Sequence, residues 1–88
     1  MLVKLTEIYK PHGDRVHLDE IYVNPKFVTS IRPERGDLLE EAHQLGIDKG
    51  SGLSQIIINE GGIPRLATVV GTPTEIRERL NKRQLLRD

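Results

Sequence analysis

Apolar and polar residues alternate from the start of the chain. Val3 and Leu5 flank Lys4, Thr6 follows, and the pattern runs on to Ile8 and Tyr9. This period of two predicts a strand over about residues 2–9. Lys10-Pro11-His12-Gly13-Asp14 reads as a turn, because proline fixes φ and glycine accepts positive φ. Beyond it, Val16 and Leu18 share one parity and Ile21 and Val23 the other. A second strand with this parity change predicts a bulge or break at Asp19-Glu20. Asn24-Pro25 ends it. Phe27, Thr29 and Ile31 then mark one face of a third strand, with Val28 on the other and Pro33 as its stop.

The pattern changes in the middle. Over residues 34–48 the carboxylates of Glu34, Asp37, Glu40, Glu41 and Asp48 face Arg35 as the sole Lys or Arg. Asp37 predicts an N-cap with Glu40 as its reciprocal partner, and Leu38, Ala42 and Leu45 form one apolar stripe. Gly46 suits the left-handed closing position. A helix of about two turns follows from this, too short to stand unless docked. Asp48-Lys49-Gly50-Ser51-Gly52 reads as a loop, so residues 34–53 form an acidic insert.

Residues 53–59 predict a β-branched strand. Glu60-Gly61-Gly62 is its turn, and a returning strand spans residues 63–70. Ile56-Ile57-Ile58 leaves neither face polar, which predicts a central strand covered on both sides. Pro64 has no N–H, so the start of the returning strand belongs at an edge or outside the ladder. Thr72-Pro73-Thr74-Glu75 is a capping box with proline at the first helical position. Ile76 and Leu80 mark the buried side of the closing helix, within a terminal element spanning residues 72–88. Glu75–Arg79 and Glu78–Lys82 stand at i, i+4 in the favourable order.

Strands first, then a hairpin, then a terminal helix predict one α+β domain over residues 1–88. Its sheet is antiparallel, curved and about five-stranded, with the C-terminal helix across one face; a partly closed barrel is the alternative. Composition narrows the chemistry. The 88 residues hold 13 Lys+Arg and 13 Asp+Glu, so no net charge draws the chain to nucleic acid or anionic lipid. Cysteine is absent, which excludes disulfides, thiolate catalysis and Cys-based zinc sites. No apolar run approaches the roughly 18 residues of a membrane span. The N-terminus alternates instead of forming a leader, and a soluble, cytoplasmic protein is the expectation.

Catalytic and phosphate-binding signatures of the GxGxxG, GxxxxGK[ST], HExxH and GxSxG kinds do not occur. His12, His17 and His43 lack metal-ligand spacing. His17 and Asp19 share a strand face and are the one candidate ligand pair or acid–base pair, a reading that lacks a third group within sequence reach. Neither cofactor nor metal is expected. Arg35-Gly36-Asp37 spells an adhesion tripeptide, which the helix start already explains. The terminal segment carries Arg77, Arg79, Lys82, Arg83 and Arg87 without an aromatic residue for base stacking.

Ile21-Tyr22-Val23-Asn24-Pro25-Lys26-Phe27-Val28-Thr29-Ser30-Ile31 resembles the opening of the FlbD/SwrD family of small flagellar motility proteins. Thr68-Val69-Val70-Gly71-Thr72-Pro73-Thr74-Glu75-Ile76 is similar to that family's closing strand, turn and helix. With Val3-Lys4-Leu5-Thr6 included, the layout also resembles small uncharacterised proteins encoded by bacteriophages and prophages. The flagellar resemblance covers about residues 20–33 and 54–80, and the phage-type resemblance nearly the whole chain. The acidic insert and the basic tail depart from the flagellar pattern. The resemblance implies a cytoplasmic, non-enzymatic protein and supplies no catalytic residue.

The functional expectation is therefore a small non-enzymatic interaction protein, of phage or prophage type, acting through self-association or a protein partner. Ile56, Ile57, Ile58 and Val69 are its expected interface residues, through strand edges. The alternative is a nucleic-acid-binding regulator using Arg79, Lys82, Arg83 and Arg87 against phosphates.

Overall fold

The alternation of the first two segments becomes a hairpin of two matched strands. β1 (Val3–Tyr9) pairs antiparallel with β2 (His17–Val23) in one unbroken register from Val3↔Val23 to Tyr9↔His17. This is seen in a computed structural model that describes residues 1–12, 14–47 and 52–87, with side chains through residue 81. The chain continues through a 3-10 turn (Pro25–Phe27), β3 (Val28–Pro33), α1 (Asp37–Gln44), β4 (Leu53–Glu60), β5 (Ile63–Val70) and α2 (Pro73–Arg87). The five strands form one antiparallel sheet in the order β2-β1-β5-β4-β3, not closed into a barrel.

That order puts β2 and β3 on opposite edges, yet only residues 24–27 join them. A flat five-stranded sheet separates its outer strands by about 19 Å, four spacings of about 4.8 Å. A link that includes a 3-10 turn reaches roughly 13 Å. The sheet must therefore curl until the end of β2 approaches the start of β3. The inner face then gathers side chains from all five strands: Val3, Leu5, Val23, Ile56, Ile58, Ala67 and Val69 are buried there, with Ile31 packed against them from β3. Ile76 and Leu80 of α2 complete this cluster, so the closing helix docks as its two apolar positions predict.

The outer face carries a smaller cluster. Ile8 and Leu53 are buried with Ala42 of α1, and Val16, Leu38, Leu39, Ile47 and Val70 pack around them. Leu45 ends the expected stripe but stands 61% exposed, its place taken by Ile47 after the turn. Gly46, at φ 71°, makes that turn: its N–H donates to His43 O, and Ile47 N–H donates to Ala42 O.

Several local expectations change. Gly36, not Asp37, occupies the N-cap, and it makes no side-chain cap bond. Glu34 reaches over instead, its Oε2 accepting the Gly36 N–H at 2.9 Å. Phe27 belongs to the 3-10 turn because Asn24 Oδ1 accepts the Lys26 N–H at 3.0 Å and coils the chain before β3. The parity change in β2 brings no bulge; the strand stays regular and exposes Leu18. The irregularity lies in β3, between Val28 and Ser30. β4 is internal, as its isoleucines predict, but only its inner face is fully covered: Ile56 and Ile58 are buried and Ile57 is half-buried. Of the loop expected over residues 48–52, residues 48–51 lie outside the described residues, and the side chain of Lys82, the expected partner of Glu78, lies outside the described side chains.

The capping box forms as written. Thr72 N–H donates to Glu75 Oε1 at 3.0 Å and Glu75 N–H to Thr72 Oγ1 at 3.2 Å. The Thr72 backbone N–H first, and then the Thr72 side chain, hold the Glu75 carboxyl below its ordinary value. The contribution is present above the unfolded carboxylate's titration and is lost as pH falls through the depressed folded value.

Gly71 lies where β5 passes into α2. Its N–H donates to Gly52 O at 2.9 Å, and its carbonyl accepts the buried Ser54 hydroxyl at 2.8 Å. Its φ of 128° is a glycine conformation, and an added Cβ would lie 3.0 Å from Ile76 Cδ1. Ser54→Ala is expected to destabilise the fold by about 1–3 kcal/mol, because a buried carbonyl loses its donor. Denaturant unfolding measures this, and a change under about 0.5 kcal/mol would contradict it. A core contrast is also expected. Ile56→Ala should cost about 2–5 kcal/mol and Leu18→Ala within about 0.5 kcal/mol, read from the same unfolding curves.

Candidate interaction surface

An antiparallel sheet that does not close leaves backbone donors and acceptors at its edges, and each edge here ends differently. β3 is interrupted by its irregularity at Val28/Ser30, where the Thr29 hydroxyl donates to Ile57 O at 3.4 Å, and it stops at Pro33. β5 is covered by β1 only near Glu7↔Val69, which leaves residues 63–66 with β4 alone. That half-edge is blunted by Pro64. Gly61 and Gly62 at φ 68° and 81° make a two-residue turn of type I′, so Glu60 and Ile63 form its closing hydrogen-bonded pair. Alternation then turns the nitrogen of Pro64 away from β4, where it has no hydrogen to offer.

β2 is the edge without such an interruption. It keeps seven residues in regular register and contains no proline. The same alternation can be carried from β5 through Glu7↔Val69 to Glu7↔Asp19. It points the N–H and C=O groups of Leu18, Glu20 and Tyr22 outward. Among the described residues, no turn or loop backbone bond reaches these groups. The three side chains share the outer face, and all are exposed: Leu18 at 47% and Tyr22 at 60% flank Glu20. Lys4 of β1 approaches Glu20 Oε2 at 3.1 Å, and this carboxylate holds the Lys4 ammonium above its ordinary value. The pair is well exposed, so salt screens it and its worth to stability is small.

The end of the hairpin carries its polar chemistry. Tyr9 stacks on His17 with ring centres 5.5 Å apart. Its hydroxyl donates to Asp19 Oδ2 at 2.9 Å, while His17 Nε2 lies 3.5 Å from Asp14 Oδ2. The suggested His17–Asp19 pair therefore separates: each takes a different partner. The Arg15 backbone N–H, bonded to Asp14 Oδ1 at 2.8 Å, and then His17 hold the Asp14 carboxyl below its usual value. Asp19 pushes the Tyr9 phenol upward, first through its hydrogen bond. His12 and His43 lie on separate exposed elements, and the described residues contain no group of three or more metal-ligating side chains.

Among the described residues, two hollows lie beside this hairpin. One, of about 390 Å³, opens between the end of β2 and the β4–β5 turn, with Ile21, Val23 and Ile58 on its walls and Tyr22, Ile63 and Arg65 around them. The other, of about 440 Å³, fills the fork where β1 and β5 part, under Leu38 of α1. Glu7, Tyr9, Lys10 and Glu41 on its wall are engaged: Glu7 with Arg65 at 3.7 Å, Glu41 with Lys10 at 3.1 Å, Tyr9 with Asp19.

The expected interface residues sit elsewhere. Ile56 and Val69 are fully buried and Ile58 is 8% exposed, because their side chains build the inner core; Ile57 is half-buried. What β4 and β5 expose instead is Ile63, at 76%, and Leu66, at 60%. Of the alternative's basic residues, Arg79 is exposed on α2, and the side chains of Lys82, Arg83 and Arg87 lie outside those described. Leu18 and Tyr22 were missed. The parity change alone does not distinguish a bulge from a regular strand that leaves apolar side chains exposed, and β2 is the latter. Among the described residues, no helix is long and apolar enough to cross a membrane. Comparison with protein-family models, curated proteins and solved structures yields no match.

The Tyr9 phenol is expected to titrate above an ordinary tyrosine, and Asp19→Ala should bring its midpoint down. The bond favours the fold while the phenol is protonated and fades as pH rises through the raised value. Ring-carbon NMR against pH measures this, and an unchanged midpoint in the variant would refute the assignment.

Proposed function

We propose that this protein is a non-enzymatic interaction module that binds another protein by strand addition at β2. The observation that carries the reading is the contrast among edges: β3 and β5 are interrupted, whereas β2 offers regular outward backbone groups beside exposed Leu18 and Tyr22. Main-chain bonds of an added strand supply affinity, and its alternate side chains supply selectivity. The polar residues nearest this edge bond to one another, which suits a supporting role better than turnover. The sequence resemblance to small flagellar and phage proteins without catalytic residues points the same way.

Proline at position 18 tests this, since it removes an outward donor and leaves the β1 ladder intact. A photo-crosslinking residue at position 20 identifies the protein that touches the edge in cells. Purified, that protein should bind at least about tenfold more weakly to Leu18→Pro, a loss of roughly 1.4 kcal/mol. Circular dichroism should show the variant folded. Unchanged affinity in a folded Leu18→Pro would overturn the proposal.

A further inference from the structure

The β2 edge is guarded by charge where the other edges are guarded by geometry. A bulge or a proline refuses every incoming strand, whereas a charge refuses only some. Building on the docking reading above, we infer that β2 selects a partner strand with a lysine or arginine between two apolar residues, and discriminates against a second copy of its own edge.

Geometry supplies the first part. Leu18, Glu20 and Tyr22 have outward backbone groups and lie on one face, so an added antiparallel strand meets them with residues spaced two apart. Directly opposed side chains in such pairs lie about 5.5 Å apart and interact. The middle position faces Glu20, with apolar positions facing Leu18 and Tyr22. Lys4 of β1 lies 3.1 Å from Glu20 Oε2, yet the Glu20 side chain stays 63% exposed and within reach of the newcomer.

Self-pairing fails on the same geometry. For two copies of β2 to use all three outward residues, the two-fold axis must pass at Glu20. Leu18 would then oppose Tyr22 of the second copy, which is favourable. Glu20 would oppose Glu20 of the second copy, which places like charges together at the centre. Asp19, the neighbouring residue, adds carboxylate charge of the same sign on the other face. Charge thus separates a basic partner from the identical edge.

Two synthetic heptapeptides provide the test, acetyl-Thr-Val-Thr-Lys-Thr-Val-Thr-amide and the same peptide with Glu at its centre. Each is titrated into the isotope-labelled protein, and amide shifts are followed. The Lys peptide should move the amides of Leu18, Glu20 and Tyr22 and bind about tenfold more tightly than the Glu peptide at low salt. In about 1 M salt the two should converge. Glu20→Gln should erase the preference while the Lys peptide still binds. Equal binding of both peptides at β2 would overturn the charge selection and leave strand addition standing. Dimers joined through β2, seen by light scattering with protected β2 amides, would also overturn the selection. Absence of β2 shifts with either peptide would overturn both.

Discussion

The short link between β2 and β3 is the constraint from which the rest of the architecture follows. Those strands stand at opposite margins of the sheet, and residues 24–27 cannot span a flat one. Asn24 tightens the link further by coiling Pro25–Phe27. Curling is the way out, and curling produces an interior. Side chains from strands that never pair, such as Val23 and Ile31, thereby share one cluster with Ile56. A chain with one Phe and no Trp fills this interior with branched aliphatics, whose small volumes suit a tightly wound wall.

The same curl decides where the surface is. It draws Ile56, Ile58 and Val69 inside and leaves the outer face to α1 at one end alone. Leu18, Tyr22 and Leu66 remain outside because the second cluster, built around Ile8 and Leu53, does not extend over them. The weak lateral contact of β1 with β5 is reinforced by Arg65 and Glu7, an ion pair whose cation is largely solvated. Packing, not that pair, holds the two parts of the sheet together.

Elements with strong local chemistry were legible from sequence. Thr72 and Glu75 encode a helix start without outside help, Gly61-Gly62 encodes a hairpin turn, and the period-two run of β1 encodes its inward face. The class and the approximate number of strands follow from these. Which isoleucines face the interior was not legible, because three consecutive isoleucines look the same whether they face a partner or the protein's own core. Strand order decides that, and order depends on contacts between distant segments. Phe27 misled for a related reason: its hydrophobicity fits a strand, but Asn24 takes control of the backbone before it. Leu18 implies distortion only if a regular strand hides every apolar residue, and β2 does not.

One feature of the sheet has a bearing on how the molecule comes into being. β1 is neighbour to β5, the final strand, although most of the chain separates Glu7 from Val69. Closing so large a loop is entropically costly, so this contact belongs late in folding. Until it forms, β1 has β2 on one side only, and the newborn hairpin shows open margins on both flanks. During synthesis the vulnerable period therefore lasts until the end of β5 leaves the ribosome. The carboxylates of Glu7, Asp19 and Glu20 would then repel neighbouring nascent hairpins of the same kind.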